Sequence, residues 1–337
     1  MTPPSYPKKQ KSQMIASSKK SNYLRSWKQK YHDYSGKRLN WFQVILLLQG
    51  SIIVNIIPWI GFFSVYSLII SLLEYHEKHI PLPRISNGLP NIVLSFNLVL
   101  SLLLIFRTNA ANERHWEGRK LWGVLVNTSR NLGRGISIII EERSVKDRLE
   151  KEKIIRLVTA FALAMKLHLR REPVNAELIE LMSSLHYSQL KNTNHPPLQI
   201  AFWIETYLQD VYHRNLVDVY QLNRLQNLVD DLVDILGGCE RILKTPIPLV
   251  YSIFLKQLLI IYCLILPIEL VSIFKWWTIP VMIVISLILF GIEEIGSELE
   301  NPFGHDPNDL PLDMICDTIS GNIEDLITSA SQSYEEV

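Results

Sequence analysis

Cysteine is scarce in this 337-residue chain: Cys239, Cys263 and Cys316 stand far apart, with no CxxC pair and no Cys/His cluster. That argues against a disulfide framework and against a structural zinc site. No stretch alternates apolar and polar residues for long enough to form a sheet, so the chain reads as all-α. No nucleophile elbow, phosphate loop, metal-spaced His pair or paired-carboxylate site is found, which argues against an enzyme and against a required cofactor. A cleavable leader would need a short apolar core at the start, and here some 40 polar residues come first. Positive charge is missing from residues 293–337, which carry twelve acids and no Lys or Arg, and charge of either sign is missing from residues 41–73.

Those last two gaps organise the rest. The totals are balanced, Lys+Arg 34 against Asp+Glu 33, with 48% apolar residues, so the averages hide a strong segregation. Residues 41–73 far exceed the roughly 18 uncharged residues that mark a membrane span. Further apolar stretches run through 92–106, 247–274 and 276–292, interrupted only by Lys256 and Glu269. The reading is an integral membrane protein with four transmembrane helices. Ten Lys/Arg precede residue 40 and twenty lie in 107–246, whereas residues 74–91 and 275 hold only Lys78, Arg84 and Lys275. The positive-inside tendency then puts both termini and the long middle segment on the cytoplasmic side.

The chain divides into five parts: a basic tail and interfacial segment over 1–39, the first two spans over 40–107, and a helical cytoplasmic domain over 108–246. The third and fourth spans follow over 247–292, and an acidic cytoplasmic segment closes the chain over 293–337. Within the middle domain, apolar residues recur at three- and four-residue spacing and predict helices over 109–143, 146–171, 174–190, 198–213 and 215–243. Pro58 with Gly61 predicts a bend in the first span, and Pro90 near the start of the second suits the first turn of a helix. Pro246, Pro248, Pro267 and Pro280 predict broken helices around a cavity.

The stretch Arg107–Trp122 follows directly on a short apolar helix whose face carries Leu98, Leu102 and Phe106, four residues apart. A helix that is oily at one end and crowded with Arg, Trp and amide residues at the other suits the wall of a conduit. The same stripe is equally compatible, from the residues alone, with packing against a neighbouring span. Three blocks then line up in order: Phe106–Trp122 with Asn127–Leu132, Gly237–Arg241 leading to Pro246–Tyr251, and Glu300–Pro311. Together they closely resemble the bestrophin family, in its bacterial, cyanobacterial and plant branch, over about residues 38–330.

The resemblance implies a homopentameric ion channel with one axial pore, in a bacterial plasma membrane or a thylakoid membrane. Lipid, further copies of the chain and small inorganic ions, chloride first among them, would be its partners, and nucleic acid would not. It implies a pore neck at Leu98, Leu102 and Phe106 and a second constriction at the cytoplasmic exit, with Leu216, Val219 and Tyr220 as candidates. Hydrophobic constrictions gate by dewetting, and an aromatic edge favours an anion weakly. Arg107, Arg114 and Arg119 would raise anion concentration in the vestibule, or else anchor the helix and pair with Glu113 and Glu117. The loop 301–309 matches the segment where animal members bind calcium. Asp306, Asn308 and Asp309 offer suitable oxygens there, although His305 replaces an acid and Pro307 stands inside the run. A cation-selective channel on the same fold and a non-conducting membrane scaffold are the alternatives.

Overall fold

The computed structural model describes residues 52–76, 89–306 and 308–332. The basic tail expected over 1–39, the first residues of the first span, Pro307 of the acidic loop and the loop carrying Lys78 and Arg84 lie outside them. Among the described residues the secondary structure is helical, with no strand. In chain order the α-helices are α1 (Ile53–His76), α2 (Leu89–Ile139), α3 (Val145–Leu169), α4 (Ser184–Lys191), α5 (Pro196–His213), α6 (Val219–Lys244), α7 (Leu249–Phe274), α8 (Thr278–Leu299) and α9 (Leu312–Gln332). Among the described residues three stretches are long and apolar enough to cross a membrane: Ile53–His76, Val93–Ile139 and Leu249–Leu299. The last comprises α7 and α8, joined by a single 3-10 turn at Lys275–Trp277.

The chain separates into two compact units. In the first, α1 packs through Phe63, fully buried, whose ring stacks on Phe290 at 5.5 Å. Trp59 also stacks on Phe290, Tyr66 donates its hydroxyl to the Leu264 carbonyl, and Asn55 donates to the Glu294 carboxylate. Aromatic stacking of this kind adds about 0.5–1.5 kcal/mol per pair beyond the area it buries.

The second unit is built around α3. Residues Leu157–Ala162 of that helix are all buried, so it is covered on every side, and α5, α6 and α9 are packed against it. Ser144 caps its start by accepting from the Asp147 amide. Its end is a left-handed residue, Arg171 with φ of 57°, after which the Glu172 amide returns to the Leu167 carbonyl at 2.9 Å.

Three expectations about helices need correction. The helix expected over 174–190 is a 3-10 turn at Ala176–Leu178 followed by α4, because Asn175 and Ser183 each accept a nearby backbone amide and restart the chain locally. The helix expected from 215 starts at Val219, where Asp218 and Gln221 form a capping box. Pro58, where a bend is expected, lies inside α1. Pro267 and Pro280 do not break α7 or α8; Pro280 falls in the first turn, where its missing N–H is not needed, and the chain breaks at Lys275 with φ of 50°. Pro246 and Pro248 occupy the non-helical link before α7.

Candidate pore-lining helix and the junction beneath it

Helix α2 runs without interruption for 51 residues, about 77 Å at 1.5 Å per residue, so it is far longer than the roughly 30 Å of hydrocarbon in a bilayer. One face of its apolar end is buried: Leu100, Leu104, Arg107 and Ala111 recur at three- and four-residue steps. That face meets α7, where Tyr251 donates its hydroxyl to the Leu103 carbonyl at 2.7 Å and Tyr262 stacks on Phe96. The packing rotates Leu98, Leu102 and Phe106 outward. They are 67%, 52% and 57% exposed, in an apolar arc that also includes Leu94, Val99 and Ile105. Each large apolar side chain left in water forgoes about 1.5–3 kcal/mol, so this arc is a surface made to be covered by lipid or by other copies.

Past Arg107 most exposed residues of the same helix are polar, namely Asn109, Asn112, Glu113, Arg119, Lys120, Asn127, Arg130, Asn131 and Arg134, with Trp116, Val124 and Ile138 as apolar exceptions. The exposed surface thus becomes more polar along one continuous helix.

The three arginines expected near the neck have different environments. Arg107 is 2% exposed and lies 3.9 Å from the Glu300 carboxylate and close to Gly296, where a Cβ would be in ordinary contact with its side chain. Arg114 donates to three main-chain carbonyls, those of Glu300, Ile242 and Thr245. Such a guanidinium satisfies the last carbonyls of α6, which have no partner in their own helix. Arg119 alone of the three is exposed, and its guanidinium lies 5.3 Å over the Trp116 ring.

These contacts bring the three sequence blocks together. Besides Arg114, Glu117 pairs with Arg241 at 2.6 Å, and the Glu300 carboxylate accepts the Ile247 amide at 3.1 Å. Gly118 lies against Phe303 and Pro302, and Gly238 against Leu121, at spacings where a Cβ would press on those side chains. The blocks are thus a packing junction at the polar end of the exposed apolar stripe.

Of the exit candidates, Leu216 is 4% exposed and belongs to the hydrophobic core of the second unit, which removes it from any opening its own protomer lines. Val219 and Tyr220 are exposed, Tyr220 at 86%, at the start of α6. Tyr220 also borders an open hollow of about 490 Å³ with Asn131, Arg134, Asn223, Arg224 and Asn227. In the acidic loop Asp306 and Asn308 are exposed, whereas the Asp309 side chain is buried against Gly304, where a Cβ would come within 2.7 Å of its Oδ2.

One constellation escaped the sequence reading. His168, His195 and Glu240 converge although they are 27 and 45 residues apart in the chain, and no local motif announces them. Burial opposes ionisation of the Glu240 carboxyl, but hydrogen bonds from Lys244, His168 and His195 outweigh it and hold that group down at about 2.

Comparison with known proteins defines the class. The model of the family described as Bacterial/Fungal Bestrophin protein matches residues 33–325. The chain is 50% identical to a voltage-dependent anion channel-forming protein of Nostoc sp., over 85% of its own length and 92% of the relative's. It is 48% identical to a protein of the same designation from Synechocystis sp., with the same coverage. A crystal structure of a bacterial bestrophin homologue from Klebsiella pneumoniae superposes with a TM-score of 0.73 at 26% identity, over 81% of this chain and 98% of that one. The apolar helices and these matches make the chain an integral membrane protein. It belongs to the bestrophin family, and its relatives are named as channel-forming proteins, not as enzymes.

Proposed function

We propose that the chain is one protomer of a homopentameric channel passing chloride and other small monovalent anions. Four transmembrane helices, α1, α2, α7 and α8, span a bacterial plasma or thylakoid membrane, with both termini on the cytoplasmic or stromal side. Five copies of Leu98, Leu102 and Phe106 form a hydrophobic neck around the axis, and Val219 with Tyr220 narrows the exit. The observation that carries this reading is the outward-facing stripe on α2, exposed opposite a well-packed buried face and continuous with a polar, partly cationic surface. The names of the relatives supply the anion. An apolar ring strips water from a passing ion without replacing it, so the neck acts as a barrier whose width sets conductance. No cofactor is required.

A cation-selective pore on the same fold is the second reading. It is favoured by the inward commitment of Arg107 and Arg114, which removes two of the three expected positive groups from the vestibule. Purified protein in a planar bilayer under a potassium chloride gradient separates the two. The proposal expects the reversal potential to move toward the chloride equilibrium value, and a shift toward the potassium value would favour the cation reading.

A further inference from the structure

His168 lies in the last turn of α3, His195 precedes α5 as its cap, and Glu240 lies in the last turns of α6. Both imidazoles address a single oxygen. His168 Nε2 is 2.6 Å and His195 Nε2 2.8 Å from Glu240 Oε1, and the two rings are 4.5 Å apart. The other carboxylate oxygen, Oε2, accepts from Lys244 Nζ at 2.7 Å. The side chains of His168, His195 and Glu240 are 22%, 33% and 15% exposed, so the point of convergence can be reached from solvent. Among the described residues it is the one group of three His, Cys, Asp or Glu side chains whose ligand atoms all lie within 4.8 Å of one another.

We propose that these three side chains bind a zinc-class divalent cation through His168 Nε2, His195 Nε2 and Glu240 Oε1, with water in the remaining position. Two imidazoles and one carboxylate match the preference of a borderline ion, whereas magnesium and calcium take oxygen ligands. Ligand bonds of about 2.0–2.1 Å in a tetrahedral set hold donor atoms roughly 3.3 Å apart. The present separations are those of N–H···O bonds, so the ion opens the cluster by about half an ångström, a movement that partly exposed side chains permit. The ion replaces the protons on the two Nε2 atoms, and each neutral ring then carries its proton on Nδ1. For His195 this gives up the cap to the Leu198 amide, a contact of 3.4 Å that is weak to begin with. Lys244 keeps Oε2 occupied and leaves the carboxylate monodentate, the outer-shell support that ligating carboxylates usually have. The bound ion joins α3, the start of α5 and the end of α6. The last turn of α6 is also the one whose Ile242 and Thr245 carbonyls hold Arg114 of α2.

The site does not depend on what the pore conducts, and its test is independent of conduction. Full-length protein in detergent, stripped with a chelator, is titrated with zinc chloride by calorimetry. It is also loaded with cobalt(II) for visible absorption, which reports coordination directly. The expected result is one zinc per chain, the intense visible bands of four-coordinate cobalt, and no comparable binding of magnesium. His195→Gln and Glu240→Gln are each expected to weaken zinc by more than about 100-fold, because outer-shell changes alone cost 10–100-fold, and Lys244→Met by about 10-fold. His168→Gln provides a further variant should Glu240→Gln fail to fold. Zinc binding of equal affinity in wild type and in His168→Gln/His195→Gln, or no zinc bound by wild type at micromolar concentration, would overturn the assignment.

Discussion

Arg114 and Arg119 lie five residues apart on α2 and carry the same charge, yet the structure gives them different tasks. Arg114 is the donor for three carbonyls, two of the contacts part-buried, and removing it takes that donor from all three. Arg114→Met should lower stability by about 3 kcal/mol, read by thermal or chemical unfolding in detergent. Arg119→Gln should leave stability within about 0.5 kcal/mol and reduce anion conductance mainly at low salt, where an exposed charge is least screened. Asp313 is a third case. Burial alone would raise its carboxyl, but paired hydrogen bonds from Arg170 and the charges of Arg170 and Lys166 hold it well below the usual carboxylate range. A depressed carboxylate stabilises the fold above its unfolded value, ordinarily 3.8, and that contribution drains away as pH falls through the folded one. Asp313→Asn should therefore cost about 2 kcal/mol at pH 7, less than a fully buried pair because Asp313 is half exposed, and the gap from wild type should close well below pH 4. A gap that persists unchanged in acid would assign the loss to packing.

At the scale of elements, α2 draws close to its neighbours at Gly118, Gly133 and Gly135. A Cβ on Gly133 would stand 2.6 Å from Ile323 and 3.4 Å from Leu326 of α9. Gly133→Val should cost about 1–3 kcal/mol through overpacking, seen as a lower unfolding midpoint, and an unchanged midpoint would show that α9 yields freely. The helices that the sequence made legible are those with long three- and four-residue periodicity: α2, α3, α5 and α6 lie close to where that spacing puts them. The segment 174–190 was misread because its apolar residues keep a helical spacing while Asn175 and Ser183 compete for the backbone. The start of α6 was set too early although its signal, Asp218 followed three residues later by Gln221, was present. Pro267 misleads in the other direction, since α7 continues through it.

The candidate site was legible only in part, and the reason is geometric. The stripe of Leu98, Leu102 and Phe106 is local, because four-residue spacing fixes one face of a helix whatever surrounds it. Which way Arg107 and Arg114 turn depends on Glu300, Ile242 and Thr245, more than a hundred residues away, and no local pattern encodes that. Leu216 looks like any surface leucine until the packing beneath α6 is known. His168, His195 and Glu240 meet only because three helices do.

For the molecule as a whole, the exposed apolar arc of α2 and the polar face that continues it make one surface with two solvents. An assembly in which five copies close around that surface leaves the neck side chains facing water along an axis, not lipid. Substituted-cysteine modification tests this most directly. The three native thiols are buried, and burial pushes those of Cys239 and Cys316 up to about 12, so the wild-type background should be silent. Leu102→Cys channels in a planar bilayer, treated with a charged methanethiosulfonate reagent, should lose most of their current while wild type keeps its own. Full current through treated Leu102→Cys channels, with the thiol unmodified or modified without effect, would place that side chain away from the permeation path and contradict the account.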